Sequence, residues 1–356
     1  MNNRRYMAIP PAAVIPGVLP EFKIFVLTPQ GQYLLWALEG NKVTSEQLSK
    51  LSEGGFNEIF VDLDDKFKYE DYLETNLGNI LENKSSSDDQ KAEIFSKIST
   101  NVVKDAFEKS LGLCTMGAAA LQRTQKLIEN ALIFITESKS LYALAKMIGH
   151  DYQTYEHATK VLWLTVAFLG QNPEIMEQIE PGYQAFDEKQ RMEILRQCGV
   201  GALLHDIGKA LVSPEILNKN SQLTDVEWEI MKRHPLNGLA MLIDTDIPAF
   251  IKKAVLHHHE DFQGGGYPMS LEGLNITTLS RVLRITDVFD AMTSRRPYKE
   301  PMAPIKAARI MIGTPEDKKG DDCPVEDDRD QGMRRCFDNE LLRKFVVFLG
   351  NAKLSG

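Results

Sequence analysis

The stretch RQCGVGALLHDIGKA, residues 196–210, governs how the rest of the chain is read. Its middle, GVGALL, is small and apolar and reads as part of a buried helix. That run then delivers His205 and Asp206, with Lys209 four residues after His205. An ionised carboxylate beside an imidazole at the end of an apolar helix is costly unless something positive compensates. A divalent metal does so, and imidazole nitrogen with carboxylate oxygen suits iron, manganese, zinc or nickel. Lys209 falls one helical turn from His205 on the same side, where it can hold a phosphate oxygen.

Working outward, the texture is helical from about residue 92 to 312. LQRTQKLIENALIFI (121–135) repeats apolar residues at three and four, and EHATKVLWLTVAFLG (156–170) is apolar on most faces. KKAVLHHHE (252–260) and SRVLRITDVFDAMTS (280–294) also read as helices, and LLRKFVVFLG (341–350) as a closing one. Residues 315–331 are acidic and proline-bounded, which predicts a solvated loop. Residues 21–75 differ: FKIFVL (22–27) and YLLWAL (33–38) read as strands joined by a turn at Thr28–Gly31. Thr44, with Gln47 three residues on, caps a short helix that Gly54-Gly55 ends, and NEIFVDL (57–63) reads as another strand. ENKSSSDDQK (82–91) reads as an exposed connection or as the loop before one long helix. The expected fold class is mainly α, a helical domain at 91–356 preceded by a small α/β N-terminal domain at 1–90. Within the larger domain the core motifs span 150–312, an acidic loop 313–333 and a closing helix 337–350.

All seven histidines lie in the span 150–259. Taken singly each reads as a surface residue; as a set, beside carboxylates and apolar runs, they read as a metal centre. His258 and His259 are neighbours about 100° apart at a helix end, so they can face two metals, or a metal and a substrate. His257 is the expected bystander and Glu260 a supporting group. Asp287 lies inside an apolar helix and needs a partner. Asp290, one turn later, is expected to support the site, and His157 opens a buried helix. Glycines 264–266 admit backbone angles other residues avoid and let the chain come close to a ligand.

The chain carries a formal net charge of −9, a poor prior for wrapping a nucleic-acid polymer. Four scattered cysteines make no C-x-x-C pair, which argues against a zinc knuckle or a disulfide framework and favours the cytoplasm. No run of eighteen apolar residues predicts a membrane span.

HDIGK (205–209), HPLNG (234–238), HHEDFQGGGYP (258–268) and DVFDAMTSRRPYK (287–299) together resemble the HD-GYP family of HD-domain metal-dependent phosphohydrolases. The likeness covers roughly 140–312, plus FDNELLRKF at 337–345. It implies an all-helical catalytic domain and hydrolysis of cyclic di-GMP to pGpG or GMP. By motif, the metal ligands would be His157, His205, Asp206, His234, His258, His259 and Asp287. Asp206 would bridge two metals that share a hydroxide, Lys209 would stabilise the phosphate, and Tyr267, Arg296 and Lys299 would contact the dinucleotide. The metals implied are two divalent ions, iron or manganese first, with zinc, nickel or magnesium as alternatives. A third is disfavoured because Gln153 stands where some relatives carry glutamate. Gln263 stands where the family often has aspartate. Two readings remain beside this one: hydrolysis of cyclic GMP-AMP or another nucleotide, and a cyclic dinucleotide receptor that has lost catalysis. A homodimer or signalling contact is assigned to the N-terminal unit.

Overall fold

The structure, a computed structural model, describes residues 5–56, 58–83, 86–110, 115–136, 154–219, 221–294, 301–313 and 332–351. Gln153, Arg296, Lys299 and almost all of the acidic loop lie outside the described residues. By internal packing the chain divides into two units, 1–98 and 99–356.

The first unit is built on an antiparallel sheet of order β1-β4-β2-β3, from β1 (Tyr6–Ile9), β2 (Ile24–Leu27), β3 (Tyr33–Ala37) and β4 (Ile59–Asp62). The hairpin β2–β3 turns where expected, closed by the Gly31 amide on the Thr28 carbonyl at 2.9 Å. β1 was not anticipated, because prolines at 10, 11 and 16 mask a four-residue strand; it pairs with β4, Tyr6 opposite Asp62. Thr44 and Gln47 form the predicted reciprocal cap of α1 (Ser45–Glu53), at 2.8 and 3.2 Å. Two helices follow, α2 (Lys66–Thr75) and α3 (Leu77–Glu82). The polar connection ends in a second cap of this kind, Ser87 with Gln90, which starts α4 (Asp88–Ser110).

The second unit is helical among its described residues. α5 (Ala118–Thr136) and α6 (Thr154–Gly170) bury their apolar faces, and α6 is covered nearly all round, as its even hydrophobicity predicts. α7 (Pro173–Ile179) is followed by α8 (Glu188–Leu204), which begins with a capping box of Asp187 and Gln190 and runs apolar to its end. Short helices α9 (Pro214–Leu217) and α10 (Asp225–Met231) lead to α11 (His234–Leu242) and α12 (Ala249–His257). α13 (Thr278–Thr293) is almost wholly buried, and α14 (Pro304–Ile312) and α15 (Asn339–Asn351) finish the unit. α6 packs on both α8 and α13, so the end of α8, the start of α6 and the middle of α13 meet around one point. No helix among the described residues is long and apolar enough to cross a membrane.

Candidate metal centre

Helix ends supply the histidines. The last four carbonyls of a helix have no partner within it. His205 follows α8 and places its Nδ1 2.7 Å from the Ala202 carbonyl. His258 follows α12 and does the same to Val255 at 2.7 Å, and His234 takes Met231, the last residue of α10, at 2.8 Å. A carbonyl only accepts, so each Nδ1 carries the proton and each Nε2 of a neutral ring is left with a lone pair. His157, in the first turn of α6, reaches the same state by another route: its Nδ1 lies 2.7 Å from Asp290 Oδ2. Asp290 in turn accepts from Ser294 Oγ at 3.0 Å, and buried Lys160 donates to that hydroxyl at 3.1 Å.

These lone pairs converge. His234 Nε2 and His258 Nε2 face each other at 3.2 Å, with Asp206 Oδ1 3.2 and 3.8 Å from them. His157 Nε2 lies 3.0 Å from Asp287 Oδ1. His205 Nε2 and Asp206 Oδ1 are buried and make no hydrogen bond among the described residues. Buried acceptors packed against acceptors are unfavourable unless a cation lies between them. The donor set therefore fits divalent metal in two groups: Asp206, His234, His258 and His259, and then His157, His205 and Asp287. Asp206 faces both, with Oδ1 toward His234 and Oδ2 3.4 Å from His205 Nε2.

The electrostatics agree. Burial opposes charge on Asp206, yet Lys209 and His205 hold its carboxyl well below the usual carboxylate range. Asp287 is likewise held well below it against burial, by His157 first. Burial pushes the His258 imidazole down to about 4, so it stays neutral and able to bind metal. Lys209 Nζ lies 2.6 Å from Asp206 Oδ2 at the partly open edge of the cluster.

The glycines act for two different reasons. Gly264 and Gly265 have φ of +87° and +88°, which L side chains rarely adopt, and nothing crowds them. Gly266 has no such φ, but a Cβ there would stand 2.2 Å from the Asp261 amide and 2.6 Å from the His259 carbonyl. The run thus folds the loop onto its own backbone, rather than simply opening it to a ligand. In the same way a Cβ on Gly208 would stand 2.0 Å from the His234 carbonyl, so this glycine lets the Asp206 turn meet α11. Glu260 accepts the amides of Met269 at 2.6 Å and Leu271 at 2.9 Å, holding the far side of the loop. The Tyr267–Pro268 peptide is cis, and the Tyr267 ring stacks on His259 at 4.8 Å.

Of the residues named from sequence, His157, His205, Asp206, His234, His258, His259, Asp287, Lys209 and Tyr267 come together. His257 lies outside both ligand groups. Gln263 is exposed, its amide on the Arg335 carbonyl at 3.0 Å. Sequence reasoning missed Arg284 on α13 and Asp261 in the loop. Arg284 donates to Asp261 Oδ1 from Nε at 3.1 Å and from Nη2 at 2.8 Å, and its Nη1 lies 3.3 Å from His259 Nδ1. Arg284 lies one turn before Asp287 on a helix that also carries Arg281, so nothing in the sequence singled it out.

Residues 183–321 match the family described as HD domain. A cyclic di-GMP phosphodiesterase of Pseudomonas aeruginosa is 38% identical over 173 residues, 48% of this chain and 38% of that protein. A 3′3′-cGAMP-specific phosphodiesterase of Vibrio cholerae is 36% identical over 110 residues, 31% of this chain and 24% of that one. The chain spans less than two fifths of the length of these relatives. A solved HDG"Y"P protein from Bdellovibrio bacteriovorus has the same fold, with TM-score 0.56 and 16% identity over 97% of this chain and 99% of that chain.

Proposed function

On the premise that the chain carries an HD domain of the HD-GYP kind, we propose that it is a metal-dependent phosphodiesterase cleaving cyclic di-GMP to pGpG or GMP. The observation that carries this reading is the set of buried acceptors without donors, His234 Nε2 facing His258 Nε2 across Asp206 Oδ1. Two divalent ions would be held by His157, His205 and Asp287 on one side and by His234, His258 and His259 on the other, with Asp206 shared. Iron or manganese is the first choice for nitrogen with carboxylate oxygen. When bound, such ions polarise a phosphodiester and provide a nucleophile from water at neutral pH. The protein does the rest. Asp206 presents one oxygen to each group and fixes their spacing. Lys209, poised at the edge of the cluster, exchanges Asp206 for a phosphate oxygen and neutralises charge as it grows. Asp290 keeps the proton on His157 Nδ1, so Nε2 is always ready to coordinate. Tyr267 makes the wall beside His259 against which a nucleotide lies, and Arg296 and Lys299 are assigned to its phosphates or guanine edges.

The test is turnover by anaerobically purified protein on cyclic di-GMP, 3′3′-cGAMP, pGpG and deoxynucleoside triphosphates, with metal content measured beside it. Cleavage of cyclic di-GMP that disappears together with the metal in His205→Ala is expected. Hydrolysis of deoxynucleoside triphosphates alone, or full activity without metal, would sink the reading.

A further inference from the structure

Trp228 stands beside the metal centre with nothing in the chemistry above to occupy it. It lies on α10 and is 46% exposed. Tryptophan is on average a deeply buried side chain, although single exposed apolar residues carry no message by themselves. This one is continuous with the site. Its ring centroid lies 6.4 Å from that of Tyr267, with the two planes at 77°. Tyr267 in turn stacks on His259 at 4.8 Å and meets the His234 ring at 6.4 Å and 81°.

The helix is pinned at both ends, so the indole is held in place. A capping box of Thr224 and Glu227 starts α10, and Lys219 donates to Glu227 at 2.5 Å. At the other end the Met231 carbonyl is held by His234 Nδ1 at 2.8 Å. A ring fixed in this way spares most of the ordering cost that a flexible side chain adds on binding. The planes of Trp228 and Tyr267 make a corner. One face of Tyr267 lies on His259, so a flat group resting on the indole would meet the phenol ring nearly at right angles. Two ring contacts separate Trp228 from His234, within the reach of one nucleotide from its phosphate across the sugar to the base.

We propose that Trp228 is a base platform, stacking one purine of the cyclic dinucleotide while the phosphate of that nucleotide lies over the metal centre. The proposal rests on the phosphodiesterase reading and adds to it the side chain that grips the base. A purine offers the flat π-face that an indole takes, and its polar edges stay free for water or for neighbouring groups. Stacking does not read those edges. Trp228 therefore selects for a phosphodiester that carries a base without choosing between guanine and adenine, so cyclic di-GMP and 3′3′-cGAMP should depend on it equally. The base is remote from the reacting phosphorus and is held alike before and during cleavage. Its contribution thus belongs in KM and not in kcat.

The test compares the whole chain, metal-loaded, as wild type, Trp228→Ala and Trp228→Phe on cyclic di-GMP and 3′3′-cGAMP. Trp228→Ala should raise KM about tenfold on both, within the range of one lost base–aromatic stack, with kcat and bound metal unchanged. Trp228→Phe keeps a flat ring and should recover most of that loss. An unchanged KM, a loss of kcat or of metal in place of the rise in KM, or a penalty on one substrate alone overturns the proposal. Fluorescence gives a readout apart from turnover. The chain has three tryptophans, and Trp228→Phe assigns the signal to one of them. GMP should quench the emission, ribose 5-phosphate should not, and Trp228→Phe should abolish the response. No quenching by GMP, quenching that survives in Trp228→Phe, or equal quenching by ribose 5-phosphate refutes a stacked base. Wild type that cleaves neither cyclic dinucleotide overturns the phosphodiesterase reading, and the GMP titration then decides the platform by itself.

Discussion

His258 and His259 are adjacent in sequence and their rings are 4.2 Å apart, yet the protein treats them in opposite ways. His258 hangs from the end of its own helix, with its proton on a carbonyl three residues back and its lone pair turned inward. His259 is held from across the unit by an arginine on α13, whose Nη1 lies 3.3 Å from its Nδ1. The first arrangement is local and recurs at three helix ends. The second is unique among the described histidines and depends on residues 23 and 25 positions apart in sequence. A metal centre can thus take its ligands from a repeated backbone device, while the feature that individualises it comes from a single tertiary contact.

The comparison can be broken most severely at Asp206, whose carboxylate faces both ligand groups. Asp206→Ala should empty both, with metal content and turnover at background; retention of one full equivalent of metal would show that the groups do not depend on it. Next comes Gly266, whose hydrogen lies against the His259 carbonyl. Gly266→Ala should destabilise the fold by about 3 kcal/mol through overpacking, read as a lower urea midpoint. The anchored edge is addressed by acid. His258 has its pKa lowered by burial to about 4, so the unfolded chain binds a proton there near pH 6.5 and the folded chain does not. Stability of metal-free protein should therefore fall as pH falls, by about 2 kcal/mol between pH 6.5 and 5, and His258→Gln should flatten that slope. Asp290→Ala frees the proton on His157 and should weaken metal binding about tenfold, without affecting the ion held near His258. Smallest is Gly264→Ala, which meets no neighbour and only strains a positive φ, at about 1 kcal/mol.

Most of the site was legible because metal chemistry restricts residue type: histidine and aspartate are costly at the ends or in the middle of apolar helices unless a cation or a close partner offsets their burial. Helix α5 was legible from its periodicity, α6 from being apolar on most faces, and α1 from its cap. What escaped has a common cause. Arg284 in SRVLRITDVFDAMTS looks like a residue for solvent, and only the packing of α13 against the loop shows that it turns inward to Asp261. The three consecutive glycines look alike in a sequence, whereas the separation into two for φ and one for contact depends on what the loop touches. β1 escaped because four residues flanked by prolines carry almost no period, and their partner lies more than fifty positions away.

The three carbonyl-anchored histidines make the cluster a clasp on the last turns of α8, α10 and α12. A turn that frays must first let go of the ring proton that satisfies its carbonyl, and a ring held by an ion cannot let go alone. Local opening of these three helix ends is thereby tied to release of the ion, so amide exchange near Ala202, Met231 and Val255 should slow together when the centre is filled. Metal occupancy would then be readable as a property of the backbone, in residues that never touch the ion.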